Sequence, residues 1–265
     1  MSEDLDQRAG DAPPRPRERL GLELSGVLGV TFGIAGLRSL VSFIEAQVKI
    51  NHGLGFGGVA TAPIKSNANT AYQWLDILDD LVEVLAGVLP AFLALVLLLR
   101  TPAAPGFGIG LDRVRVRELL QGCGFAALIG VPGLGLVFVA RELGLNAQIV
   151  VTDFPDVWYR IPMLLLSAVQ QGTAEEVVVC AYVLTRLGQL GWSNQRALTV
   201  AALLRGSYHL YQGYGGFFGN AVMGLIFGWW FQRTRRVVPL IVAHSLIDAV
   251  SFIGYVYLHG HVGWI

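Results

Sequence analysis

The chain has 265 residues, of which 54% are hydrophobic and only 14% charged, and its mean hydropathy is +0.56. A soluble domain usually carries about 25% charged residues, so this composition favours a membrane protein with several spans. The net charge is zero and therefore gives no indication of acidic partners or nucleic acid. The two cysteines, Cys123 and Cys180, both lie in apolar runs, so neither indicates a disulfide framework or a CxxC metal site.

Residues 1–20 are polar, contain several arginines and prolines, and do not begin with the apolar core of a secretory signal. We expect them to form a disordered cytoplasmic tail and residues 21–265 to form a single transmembrane domain. A membrane helix needs about 20 mostly apolar residues, and seven candidate spans follow the tail. They are residues 22–44, 81–99, 119–140, 158–187, 198–211, 217–231 and 237–258. The predicted fold is an all-α, polytopic transmembrane helix bundle of about seven spans.

The longest loop, residues 45–80, separates the first two spans. Near its end Leu75, Leu78 and Val82 share a helical face, which predicts a helix lying on the membrane surface.

Basic residues are distributed unevenly between the two sides of the predicted bundle. The N-terminal side receives thirteen arginines, and the other side receives four basic residues, Lys49, Lys65, Arg141 and Arg160. Because cytoplasmic loops carry an excess of Lys and Arg, we expect a multi-pass protein of the cell membrane with a cytoplasmic N-terminus.

Several ionisable side chains interrupt the apolar spans in the second half of the chain. Each costs roughly 2.5–3.5 kcal/mol at the centre of a membrane helix on insertion scales, so six of them on three spans predict a shared polar cavity. They are Glu175, Glu176, Arg205, His209, His244 and Asp248.

The spacing of these residues supports a common cavity. Arg205 and His209 are four residues apart, as are His244 and Asp248, so each pair shares a helical face. The adjacent Glu175 and Glu176 are turned about 100° from each other, so we expect one to face the reacting centre and the other to pair with a cation.

A buried carboxylate near two imidazoles fits the activation of water for hydrolysis. The same types of charge fit a proton relay in a transporter, and a purely structural polar network is the third reading. The residues by themselves leave these alternatives open.

In this order and spacing, the motifs resemble the CPBP family of intramembrane proteases, which comprises CAAX proteases and bacteriocin-processing enzymes and is also called the Abi family. The family pattern is EExxxR, then FxxxH, then HxxxN or HxxxD on successive spans. Here the corresponding segments are "EEVVVC" at 175–180, "RGSYH" at 205–209 and "HSLID" at 244–248. The resemblance covers about residues 160–258, implies a catalytic core at about 158–258, and implies peptide-bond hydrolysis inside the bilayer.

Two positions depart from the family pattern. Cys180 stands where the pattern has arginine, and Arg205 stands where it has phenylalanine. We interpret the two departures as linked: the cation has moved from the fourth span to the fifth and reaches across to Glu176. Loss of activity is the alternative, which would leave a membrane scaffold or binding protein of the same fold.

The resemblance also implies roles for the residues. Glu175 would activate a water, His209 would orient it or transfer a proton, and His244 with Asp248 would stabilise the oxyanion or hold the site. Glu176 and Arg205 would support these groups. A divalent metal such as zinc would take Glu175, His209 and His244 as ligands, although HExxH is absent, and a metal-free mechanism is equally open. We expect the partners to be the lipid bilayer and a membrane-associated protein or peptide substrate, with no nucleic acid.

Overall fold

The computed structural model describes residues 16–51, 61–63, 72–100, 108–150, 157–258 and 261, and these ranges contain seven helices. Helix α1 runs from α-helical Pro16–Leu28 through a π-helical turn, Gly29–Gly33, into α-helical Ile34–Asn51. Helices α2 and α3 are Gln73–Arg100 and Val116–Glu142.

The second half of the chain forms the other four helices. Helix α4 consists of α-helical Arg160–Glu175, π-helical Glu176–Val183 and α-helical Leu184–Gln189. Helix α5 is Asn194–Tyr208, and a short 3-10 turn, Leu210–Gln212, follows it. Helices α6 and α7 are Tyr214–Thr234 and Val238–Leu258. Two short strands, β1 (Thr61–Pro63) and β2 (Gln148–Val150), pair in parallel with Thr61 opposite Gln148.

The seven helices overlap the seven predicted spans, and the all-α helical membrane fold is confirmed. Among the described residues, four helices are long and apolar enough to cross a membrane, namely α1, α2, α3 and α7. The other three, α4 to α6, are not among the helices that meet these requirements of length and apolar character. The protein is therefore a multi-pass membrane protein, while its orientation and its placement in the cell membrane stay predictions.

Helix α4 lies at the centre of the bundle. Every residue of its π-helical segment is at most 1% exposed, whereas the most apolar windows of α1, α2 and α3 are only 6% to 17% buried. A helix that is apolar on all sides is buried within a larger protein, and the run Val177–Val178–Val179 has this character. The outer helices thus present apolar side chains outward, and α4 is enclosed with its two glutamates.

Side chains join the helix ends that the charge pattern assigns to the N-terminal side. The guanidinium of Arg236 donates to Glu118, which precedes it by more than a hundred residues. Arg186 of α4 donates to Glu23 of α1 at 2.8 Å and to the carbonyl of Leu97 in α2 at 2.8 Å. Arg235 at the end of α6 donates to Thr185 of α4 at 3.2 Å and so links the two groups of contacts. Together they place the ends of α1, α2, α3, α4 and α6 on one side, as an alternating bundle requires.

The sequence predictions for the surface helix, the N-terminal tail and the long loop compare differently with the structure. The separate surface helix was wrong, because Leu75, Leu78 and Val82 lie in the first turns of the continuous helix α2. Helix α1 begins at Pro16, so the last five residues of the expected tail are helical. Residues 1–15 lie outside the described residues, as do 52–60 and 64–71 of the long loop, and the tail stays a prediction.

Gly172 brings α4 and α7 close together beside the polar residues. A Cβ built at Gly172 would lie 2.5 Å from Oγ and 2.9 Å from the backbone nitrogen of Ser245, the neighbour of His244. Only a residue without a side chain permits this approach of two backbones.

We therefore expect Gly172→Ala to destabilise the protein by roughly 1–3 kcal/mol through overpacking, measured by thermal unfolding in detergent. Gly188→Ala in the same helix is the matched control, because a Cβ there meets nothing within 4 Å and alanine is favoured by about 1 kcal/mol over glycine in helices. Equal unfolding temperatures for the two variants would contradict the packing argument.

Candidate active site

Three helices supply the polar residues of the candidate site, and one of them, α7, carries His244 and Asp248. Helix α4 supplies Glu175 and Glu176, which lie where its α-helical part passes into the π-helical segment. Helix α5 supplies Arg205 and ends at Tyr208, so His209 lies just beyond it, as the C-cap residue rather than within the helix as expected. Its backbone N–H donates to the carbonyl of Gly206, which tightens the last turn.

Glu176 is the most enclosed of the site residues and makes three contacts. Arg205 Nη2 donates to its Oε1 at 2.5 Å, and Cys180 Sγ donates to its Oε2 at 3.1 Å. His244 Nδ1 lies 2.8 Å from Oε1 and 2.8 Å from Arg205 Nη2, so this ring nitrogen finds a partner whether it donates or accepts. Because Glu176 and Arg205 are both 0% exposed, their charges compensate each other within the bundle.

Glu175 has a different environment although it is the next residue. Tyr208 Oη donates to its Oε2 at 2.7 Å, Arg205 Nη2 lies 3.3 Å from the same oxygen, and His209 Nε2 lies 3.6 Å from it. Within the described part of the chain no hydrogen bond reaches Oε1. The side chain is 12% exposed, compared with 0% for Glu176. The two glutamates thus share Arg205 but otherwise take different partners, so only Glu175 keeps an open oxygen.

His209 and Asp248 lie at the edge of this cluster with unused hydrogen-bonding atoms. Neither ring nitrogen of His209 has a hydrogen-bond partner among the described residues, and neither does Oδ2 of Asp248. Asp248 Oδ2 is 3.5 Å from Nε2 of His244. His209 can therefore bind a water or a substrate group beside Glu175, whereas the contacts of His244 join it to Glu176, Arg205 and Asp248.

Packing against helix α6 explains how a whole arginine side chain is accommodated. The Arg205 guanidinium carbon lies 5.6 Å from the centre of the Phe227 ring, within the range of a cation–π contact. A Cβ at Gly224 would lie 3.0 Å from Cα of Ala202 and 3.2 Å from Cδ of Arg205. Gly224 therefore lets α5 approach α6 with the arginine between α6 and the glutamates.

The donor set does not fit the zinc site that sequence reasoning left open. Among the described residues, no group of three His, Cys, Asp or Glu side chains is arranged to hold a metal ion. The physical reason is the position of Arg205, whose guanidinium already contacts Glu175 and His244. A divalent cation in that place would meet a fixed positive charge.

The structure brings all six sequence-predicted residues into one continuous set of contacts. It adds Tyr208, which the sequence analysis did not consider although it lies within the quoted "RGSYH" segment. The available signal was its spacing, three residues after Arg205 on the same helix, which places the two on neighbouring positions of one face. Phe32 of α1 stacks on the Tyr208 ring at 4.6 Å between centroids, so the first half of the chain also supports the site.

Comparison with known proteins assigns a class to this arrangement. Residues 157–250 match the model of the Rce1-like family, described as type II CAAX prenyl endopeptidase Rce1-like. The matched segment contains α4 to α6 and most of α7, and with them every residue of the cluster. Comparisons with curated proteins and with solved structures gave no match.

The chain is thus a multi-pass helical membrane protein in which this segment matches the Rce1-like family model, and its resemblance to the CPBP family of CAAX proteases is confirmed. The match supports an intramembrane protease as the general class. It supports a membrane-associated substrate only in the same general sense.

The contact between Arg205 and Glu176 allows a test of whether Cys180 and Arg205, the two departures from the family pattern, represent one relocated cation. Removing the cation in Arg205→Phe leaves a buried carboxylate uncompensated, which costs about 3–5 kcal/mol. Adding Cys180→Arg to that variant places a guanidinium beside Glu176, because Cys180 Sγ is already within 3.1 Å of Oε2. We expect the double variant to recover folded yield and thermal stability relative to Arg205→Phe alone.

Folded yield after purification and the unfolding temperature in detergent are the measurements. Cys123→Arg in the Arg205→Phe background is the control, because Cys123 is exposed and a cation there cannot reach the glutamates. If both double variants are as poorly folded as Arg205→Phe, the two departures are not one relocation of charge.

Proposed function

We propose that this protein is an intramembrane endopeptidase in which Glu175 activates a water to hydrolyse a peptide bond of a membrane-associated protein or peptide. The observation that carries the proposal is the difference between the two glutamates: Glu176 is enclosed and ion-paired, and Glu175 keeps an open oxygen beside His209. Two adjacent carboxylates in different environments suit different tasks.

In the proposed reaction Glu175 takes a proton from water while the hydroxide attacks the carbonyl carbon of the substrate. The C–N bond then breaks, and the proton passes to the leaving nitrogen, which gives a carboxylate and an amine. Tyr208 and Arg205 both approach Oε2 of Glu175, which leaves Oε1 to accept the proton. A general base of this kind contributes about 10²–10⁴-fold to the rate.

The two histidines have separate roles in this proposal. His209 orients the water or carries the proton, since its ring nitrogens are not engaged by other described residues. His244 and Asp248 hold the site, and the contacts of His244 with Glu176 and Arg205 support that role over direct oxyanion binding. Arg205 and Glu176 fix the position of Glu175 and of α5.

The decisive experiment compares active-site variants in proteoliposomes. The reporters are a peptide with a C-terminal isoprenylated cysteine followed by three residues and a peptide with one transmembrane segment. We expect the wild type to release a new amine from at least one of them. Glu175→Gln should lower the rate by about 10²–10⁴-fold, and His209→Ala should lower it as well, both with unfolding temperatures close to that of the wild type.

Glu142→Gln is the matched control, because this glutamate is exposed at the end of α3 and should keep full activity. Cleavage that persists unchanged in Glu175→Gln would refute the proposed base. A folded wild type that cleaves neither reporter would favour the inactive scaffold, and solute flux in sealed vesicles that depends on Glu175 and His209 without cleavage would favour a transporter.

A further inference from the structure

A cavity of about 190 Å³ lies on the side of Glu175 formed by α1, α2 and α4. One water needs only roughly 15 Å³ of such space, so the cavity has room for a larger group. Its walls do not include the histidines. They are formed by residues of α1, by Gly87 and Pro90 of α2, and by Gln170, Gln171, Ala174 and Glu175 of α4.

Two side-chain amides lie in this otherwise mostly apolar cavity. Neither Gln170 nor Gln171 makes a side-chain hydrogen bond to any part of the chain that the structure describes. An amide without a partner in apolar surroundings costs free energy, and each glutamine offers both donors and an acceptor. The two residues thus provide hydrogen bonds that the described protein does not itself use.

The two glutamines lie one helical turn before Glu175 on α4. Gln170 and Gln171 precede Ala174 and Glu175 by four residues each, so all four lie on one face of the helix. Gln171 is therefore about one turn, roughly 6 Å, from Glu175 along the helix. An extended peptide rises about 3.3 Å per residue, so backbone groups within two residues of a bond at Glu175 reach the amides.

Helices α1 and α2 contribute irregular backbone to the same cavity. Thr31 and Phe32 belong to the π-helical turn of α1, and π-helical turns are frequent at functional sites. Pro90 has no N–H, which leaves the carbonyl of Ala86 without the donor that residue 90 would supply. Gly87 leaves room for Gln170, since a Cβ there would lie 2.3 Å from Nε2 of Gln170.

We propose that this cavity binds the backbone of an extended substrate peptide next to the cleaved bond, with the amides of Gln170 and Gln171 pairing with its N–H and C=O groups. A peptide that is unwound for cleavage inside a membrane exposes backbone groups that need partners, and the two amides meet that need. Recognition of this kind depends on the backbone rather than on particular side chains. The inference rests on the proposed function, because it takes Glu175 as the reacting group.

Photo-crosslinking in proteoliposomes tests the proposal without turnover. The protein is the full chain with Glu175→Gln, and the probe is an eight-residue peptide without a lipid that carries a diazirine leucine. We expect mass spectrometry to place the crosslinks on Thr31, Phe32 and Pro90. The neighbouring Val30, which is 77% exposed, should show none.

Replacing both glutamines by methionine keeps their length and removes the hydrogen bonds. We expect Gln170→Met with Gln171→Met to lower the crosslink yield by about tenfold at the same peptide concentration, in line with the loss of hydrogen bonds in a buried site. Gln73→Met at the exposed start of α2 should leave the yield unchanged. Gly87→Ala displaces only the flexible end of the Gln170 side chain and leaves the sequence of α4 unchanged. We expect this variant to lower the crosslink yield as well.

Three outcomes would overturn the inference: no crosslinks at these positions, equal yields for the glutamine variant and its parent, or competition by farnesol as effective as competition by the unlabelled peptide. The last would assign the cavity to an apolar chain. Cleavage of the same peptide by the wild type separates this question from the proposed function. Cleavage without these crosslinks refutes only the cavity, and crosslinks without cleavage of this peptide or of either membrane reporter refute only the hydrolase.

Discussion

The buried pair of Arg205 and Glu176 is the interaction on which the arrangement of the site depends. Both side chains are 0% exposed, so each would be an uncompensated charge in an apolar bundle without the other. The pair joins α5 to α4, and His244 brings α7 to the same two groups at 2.8 Å. Glu175 is the neighbour of Glu176 in the chain, so the ion pair between Arg205 and Glu176 also fixes the position of Glu175. Glu175 itself lies farther from Arg205, at 3.3 Å.

Small residues allow this polar centre to lie within a close-packed bundle. Gly172 brings the backbone of α4 against Ser245 of α7, Gly206 brings α5 against the carbonyl of Phe217, and Gly224 admits Arg205 between α5 and α6. Each contact removes lipid or water from around the charges, which strengthens the electrostatic interactions between them. The many glycines in these helices are therefore consistent with a bundle that holds ion pairs.

The sequence predicted the helices and most of the site because both depend on local patterns. Runs of mostly apolar residues identified the seven helices, and spacing of four residues joined His244 to Asp248 on one face. Apart from the expected contact of Arg205 with Glu176, contacts between distant elements could not be read in this way. Phe32 stacking on Tyr208 and the cavity lined by α1 and α2 depend on how helices pack. The end of α5 before His209 and the π-helical segment after Glu175 depend on backbone geometry that residue types do not specify.

The position of the cation changes what holds the site together. At position 180 a cation would lie on the same helix as Glu176, and their pairing would be complete within α4 alone. On α5 the cation reaches Glu176 only when α4 and α5 are packed against each other, with Phe227 of α6 beside the guanidinium. Formation of the ion pair is then inseparable from assembly of the three helices. In this chain the charge on Arg205 therefore both positions the glutamates and contributes to the stability of the fold. An ion pair formed within α4 alone would not link these two effects.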